Sequence, residues 1–205
     1  MTYIFLIITV IISIAAFNND TLFNRLMLNP YQVVHRKEYY RVISHGFIHA
    51  DWMHLIVNML VFYFFGTSVE QYFDMLASEG ILNFPKVWYT ALYLLGIIVS
   101  SLTTIYKHRN NVMYNSVGAS GAVSAVVFCS IFFGPFESLY LYGFIKLPGI
   151  IYGILYLIYS QYMSKKGMDN INHDAHFIGA VFGFLFPLII NFKLINIFIH
   201  QLLNL

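Results

Sequence analysis

Long apolar runs leave this chain few ways to fold, because a segment of ~17 to 25 residues with almost no charge satisfies its backbone in lipid only by closing its own helical hydrogen bonds. Such runs occupy residues 1–17, 52–67, 87–106, 116–133, 147–163 and 174–192. Charged residues make up 10% of the chain and hydrophobic ones 59%, where an ordinary soluble domain is roughly 25% charged. The expectation is an all-α polytopic membrane protein with six spans forming one domain over residues 1–192. Several spans are short, which predicts local thinning of the bilayer or partial burial within the bundle. Residues 193–205 form a separate short tail in which Leu194, Ile197, Phe198 and Leu202 fall on one face, a spacing suited to a helix on a surface.

Several function classes drop out early. The first apolar segment lacks a basic leader and an A-x-A-like cleavage site, so it is kept as a span. Cys129 is the single cysteine, which excludes an intrachain disulfide and a cysteine cluster for zinc. A net charge of +2 with no run of lysine or arginine gives no reason to expect nucleic acid. No H-E-x-x-H occurs, and Asp51, Asp74, Asp169 and Asp174 all fall at span edges or in connections, which speaks against an aspartyl protease. His45, His49, His54 and His173 have no obvious carboxylate partner for a metal, so neither metal nor cofactor is assigned. The connection 18–51 is long and interleaves Phe23, Tyr31, Tyr39, Tyr40 and Phe47 with Arg25, Arg36, Lys37 and Arg41. That mixture suits a structure half-sunk in the headgroup region, against the plainer alternative of an ordinary extramembrane loop.

Polar side chains at membrane depth cost free energy, which makes them functional candidates. His54 and Asn58 are four apart in the second span and so share a face. Ser120 follows Gly118 at the start of the fourth, and His176 precedes Gly179 and Gly183 at the start of the sixth. Each feature has a plain alternative. Gly118, Gly121 and Ala122, or Gly179 and Gly183, serve equally as small faces for close helix packing, and Asn58 as a bridge between helices. The second, fourth and sixth spans run in one direction, however, and each polar residue lies within about two turns of its span's start, at a rise of ~1.5 Å per residue. They therefore converge at one depth on one side of the bilayer. A serine hydroxyl is a weak nucleophile until a neutral imidazole within ~2.6 to 3.2 Å removes its proton, and that combination is what converges here.

These residues resemble the rhomboid family of intramembrane serine proteases. His49-x4-His54-x3-Asn58 is similar to the family's second-span signature, Gly118-Ala119-Ser120-Gly121 to its G-x-S-G nucleophile motif, and Ala175-His176-x2-Gly179-x3-Gly183 to its last-core-span histidine motif. Tyr40-Arg41 resembles the W-R pair of the first loop, and Gly66-x3-Glu70 the end of the second span. The resemblance covers roughly residues 39–183. It implies a six-transmembrane-helix rhomboid-like bundle with Ser120 as nucleophile and His176 as base. It also implies His54, Asn58 and the backbone N–H of Ser120 as oxyanion donors, with Gly118, Gly121, Gly179 and Gly183 structural near the site. One departure stands out: the family often carries an aromatic residue four positions after the nucleophile, stacked on the histidine, and here that position is Ser124. Asp174, two residues from His176, points to a different helical face, so the reading is a dyad and not a triad.

The implied activity is endopeptidase cleavage of transmembrane protein substrates at or near the membrane boundary. Membrane lipids are the other partners; oligomeric state is left open. A catalytically silent client-binding protein or membrane chaperone is the alternative, and a transporter a weaker one given the lack of buried charge. A multi-pass location in a bacterial inner membrane is the expectation. Loops one, three and five carry Arg25, Arg36, Lys37, Arg41, Lys107, Arg109, Lys165 and Lys166 against Lys86, Lys146 and Lys193 elsewhere, which by the positive-inside rule makes the odd loops cytoplasmic. The family resemblance implies the reverse, with the site opening outward, and is preferred because the first loop's basic residues fall in a segment expected to be embedded.

Overall fold

The computed structural model describes residues 1–141, 145–166 and 171–203. Helices overlap all of the apolar runs: α1 Thr2–Phe17, then, after the first connection, α5 Trp52–Ser78, α6 Pro85–His108, α7 Ser120–Phe133, α8 Gly149–Lys166 and α9 His173–Ile190. The connection between α1 and α5 folds into α2 Asp20–Leu26, α3 Pro30–His35, α4 Arg41–Ser44 and a 3-10 turn His45–Phe47. After α9, a 3-10 turn Phe192–Leu194 leads into α10 Ile195–Leu203. Three helices, α5, α6 and α9, are long and apolar enough to cross a membrane by length and composition, while α1 and α7 are apolar but shorter.

The burial pattern is that of a protein solvated by lipid. On α1 the buried positions include Thr2, Thr9 and Ser13, and the exposed ones include Ile4, Ile7, Ile8, Ile11 and Ile14. A soluble helix reverses that arrangement; in lipid the polar groups turn inward and the aliphatic ones outward. α5 and α8 carry similar outward stripes, with Ile56, Leu60 and Phe64 on one and Ile151, Leu155 and Ile158 on the other. The inner helix is α7, buried at every residue from Gly121 to Phe133 and in contact with α5, α6, α8 and α9. A helix apolar on all sides is stable only inside such a sheath.

Three features depart from the sequence reading. The second apolar run was expected to end at residue 67, yet α5 continues through Ser78 because Val69, Phe73 and Leu76 extend the buried stripe of Leu55, Met59 and Phe62. Glu70, which marked an apparent boundary, is taken inside: its carboxylate accepts from the Thr2 hydroxyl and backbone N–H and pairs with the Met1 amine. The fourth run begins as helix only at Ser120. Residues 116–119 are not helical, since Gly118 sits at φ +114° and Ser116 exchanges both backbone hydrogen bonds with Leu28, at 2.9 and 3.0 Å. Between α7 and α8 lies a hairpin, β1 Ser138–Leu141 against β2 Ile145–Pro148, antiparallel with Ser138 opposite Pro148.

The tail docks onto the bundle. Phe198 of α10 stacks on Phe132 with centroids 5.4 Å apart and meets Phe184 edge-on at 5.2 Å, and Leu194 is buried. Residues 204–205 of the tail and Asp169 lie outside the described residues.

Candidate active site

Two close helix contacts set the geometry. α9 lies against α7 at Gly179 and Gly183, where an added Cβ would run into the backbone carbonyl oxygens of Gly121 and Ala125 respectively. α6 approaches the same helix at Gly96, whose Cβ would come within 3.1 Å of the Ala122 Cα. The α7–α9 contact admits no side chain, so these two helices pack backbone to backbone, and α6 lies tightly against α7 beside them. The N-terminus of α9 is fixed by Asn172, whose side chain accepts from the Ala175 N–H at 3.1 Å and donates to Thr104 on α6 at 2.6 Å. Asp174 joins α6 and α8 through the Lys107 ammonium and the Ser164 hydroxyl.

With the helices held this way, His176 in the first turn of α9 meets Ser120, the first residue of α7, at 2.7 Å between Nε2 and Oγ. That distance lies within general-base reach. Ser120 occupies a helix N-terminus, whose first N–H groups have no partner within the helix and whose dipole favours developing negative charge.

His54 and Asn58 line the same cavity, of about 1310 Å³, as Ser120 and His176. His54 stands in the first turn of α5, where the Asp51 side chain caps its N–H at 2.8 Å. Its Nδ1 receives the Ala50 N–H at 3.4 Å, which leaves the proton on Nε2. A Cβ at Gly118 would come within 2.7 Å of the His54 ring; glycine there admits both the imidazole and the positive φ. Asn58 donates one amide hydrogen back to the His54 carbonyl at 2.9 Å, which fixes the amide and leaves its second hydrogen for another acceptor.

The first connection supplies supporting contacts, several from residues the sequence had already singled out. The Arg41 guanidinium is buried and donates to the carbonyls of Asn24 and Met27 at 2.9 and 2.8 Å and to the Glu38 carboxylate at 2.6 Å. That pairing holds the Glu38 carboxyl below its usual range. Tyr40, by contrast, is exposed. The connection is tied to the nucleophile's segment twice, through the Leu28–Ser116 bridge and through the Gly118 N–H, which donates to the His45 carbonyl at 2.9 Å. Burial pushes the His45 imidazole down to about 4 and the His49 imidazole down to about 3. Both are neutral, with His45 Nδ1 on the Arg41 carbonyl at 2.9 Å and His49 Nδ1 on the Ser13 hydroxyl at 3.0 Å. No group of three or more histidine, cysteine, aspartate or glutamate side chains converges among the described residues.

Position 124 is answered from another helix. The Ser124 hydroxyl is 2.7 Å from the hydroxyl of Tyr156 on α8, and the Tyr156 ring lies nearly parallel to that of His176, at 19° with centroids 6.4 Å apart.

A fold of this kind, with a serine and a histidine brought together beside a cavity among apolar helices, matches a known family. The Rhomboid domain model covers residues 36–191, and the chain belongs to the rhomboid family. Among its relatives are the RHOMBOID-like protein 12, mitochondrial, of Arabidopsis thaliana, 30% identical over 154 residues, covering 68% of this chain and 43% of the relative, and the Rhomboid-like protein 11, chloroplastic, of the same plant, 30% identical over 157 residues, covering 71% and 50%. The chain thus spans half or less of the length of these curated relatives. Both are named for plant organelles, which lends no support to the bacterial inner membrane expected from sequence.

Proposed function

We propose that this chain is an intramembrane serine endopeptidase, a six-span bundle that cleaves transmembrane proteins near the membrane boundary with a Ser120–His176 dyad. The observation that carries the reading is the 2.7 Å hydrogen bond between His176 Nε2 and Ser120 Oγ, made across a contact that only glycine permits. In the reaction His176 accepts the Ser120 proton as Oγ attacks the scissile carbonyl, then delivers it to the departing amine. Water next attacks the acyl-enzyme by the same route in reverse. The oxyanion falls to the second amide hydrogen of Asn58, the Nε2–H of His54 and the backbone N–H of Ser120, a set in which one donor is worth ~3 to 4 kcal/mol. The cavity is lined in part by Met27, Tyr114 and Ile171 from the three odd-numbered connections, a route for water to a site set below the membrane surface.

A substrate helix must unwind before its carbonyl is open to attack, so helix-weakening residues near the cut, with a small side chain before it, are the expected substrate signature. The client-binding alternative needs neither a serine–histidine hydrogen bond nor a row of oxyanion donors, which is why the peptidase reading is preferred. The test is cleavage of a transmembrane substrate by the purified chain in liposomes. Activity lost in Ser120→Ala and in His176→Ala, with both variants folded, supports the proposal. Cleavage by either variant at the parent rate, or none by the parent, overturns it.

A further inference from the structure

The dyad needs more than proximity. An imidazole turns about its χ2 bond with a broad, roughly two-fold preference, and only a narrow range of that rotation keeps Nε2 on Ser120. Something must hold the ring's plane. The side chain one turn after Ser120 on α7 is Ser124, too small to do so itself, and its hydroxyl is instead 2.7 Å from Tyr156 on α8. The Tyr156 ring lies at 19° to the His176 imidazole with centroids 6.4 Å apart, within the ~4.5 to 7 Å of offset aromatic pairs. Tyr152 stacks on the same ring at 5.9 Å and 25°, and Phe128 packs against it at 5.7 Å. The tyrosine is therefore confined on several sides, and its hydroxyl is tied to the helix that carries the nucleophile.

We infer that Tyr156 is a positioning residue for His176, with Ser124 acting as its anchor. Ser120, Ser124, Tyr156 and His176 then form a closed circuit. Two members share α7, the third comes from α8, and the fourth returns from α9 to the first. Orientation of the base depends on where α8 lies, and a shift of α8 relative to α7 misaligns the dyad without touching either of its members. This inference rests on the peptidase reading above.

The experiment compares Tyr156→Leu, Tyr156→Phe, Ser124→Ala and the double variant Ser124→Ala/Tyr156→Phe with the parent. The readouts are the second-order rate of inactivation by a fluorophosphonate, the split of kcat from KM on a transmembrane substrate, and thermal stability in detergent. Tyr156→Leu removes the ring and lowers both the inactivation rate and kcat by about 10-fold or more, the scale of a misplaced catalytic group, with KM little changed. Tyr156→Phe restores most of that loss. It and Ser124→Ala each fall by only about 2- to 3-fold, the low end for one neutral hydrogen bond, and the double variant falls no further than either single one, because both remove the same bond. Equal rates for parent and Tyr156→Leu overturn the inference, as does a Tyr156→Leu loss confined to KM or to stability. A parent that labels and cleaves while its variants match it sinks this inference and leaves the peptidase reading standing. A parent that neither labels nor cleaves overturns both.

Discussion

Replacing Gly183 by alanine perturbs the dyad from seven residues away. The new methyl group would come within 1.9 Å of the Ala125 carbonyl oxygen, backbone in the middle of α7 that has no side-chain rotamer to yield. Restoring a normal contact requires α9 and α7 to separate by at least about 1 Å, and Ser120 and His176 sit on these two helices at 2.7 Å. An added ångström takes the pair outside the ~2.6 to 3.2 Å range for proton transfer, and a misplacement of that size costs about 10²-fold in rate. Overpacking of this kind also lowers stability by about 1 to 3 kcal/mol. The expected result is a folded protein with lower Tm, near-normal substrate binding and kcat down by about 10²-fold. A Gly183→Ala variant that cleaves at the parent rate would refute the claim that the α7–α9 contact sets the dyad's geometry.

Asn58→Ala should lower turnover by ~10²-fold or more, the scale of one lost oxyanion donor, with KM much less affected; a loss of affinity alone would remove Asn58 from that role. Acid sensitivity has a defined sign. His45 and His49 are held neutral to about 4 and about 3, while the unfolded chain takes up these protons near 6.5, so stability is full above ~6.5 and falls as pH drops through that window. The Tm in detergent should therefore be lower at pH 5 than at pH 7.5, and a flat profile would contradict their buried placement. Orientation is open to direct test in a Cys129→Ser background, with single cysteines at Asn110 and Asn83 exposed to an impermeant maleimide on intact cells. Labelling at 110 and not at 83 is expected, and the reverse pattern places the site on the cytoplasmic side.

Much of the site was legible because polar residues in an apolar chain carry a strong signal. Ser120, His176, His54 and Asn58 stand out against their surroundings, and all four line one cavity. The glycines were legible as a small face, though not which carbonyls they would meet. Less visible was what depends on contacts between distant segments. Glu70 looked like the end of a span, since a sequence does not show that Thr2 will meet its carboxylate. Arg41 was marked by the Tyr40-Arg41 pair, but not what it holds, since the carbonyls of Asn24 and Met27 that accept from it belong to backbone, which leaves no mark in sequence. Tyr156 was hidden among 16 tyrosines. Nothing local distinguishes it, and only the packing of α8 brings it beside His176, where Ser124 had suggested a gap. The late start of α7 was masked by the apolar character of Val117, although Gly118 hinted at a backbone that a helix does not use.

Mass-spectrometric mapping of a fluorophosphonate adduct on the purified protein tests the central claim most directly. One adduct on Ser120, lost in His176→Ala although the hydroxyl remains, is the result that a serine activated by its histidine requires. Labelling of Ser120 at the same rate with and without His176, or an adduct on another serine with Ser120 unmodified, would contradict it.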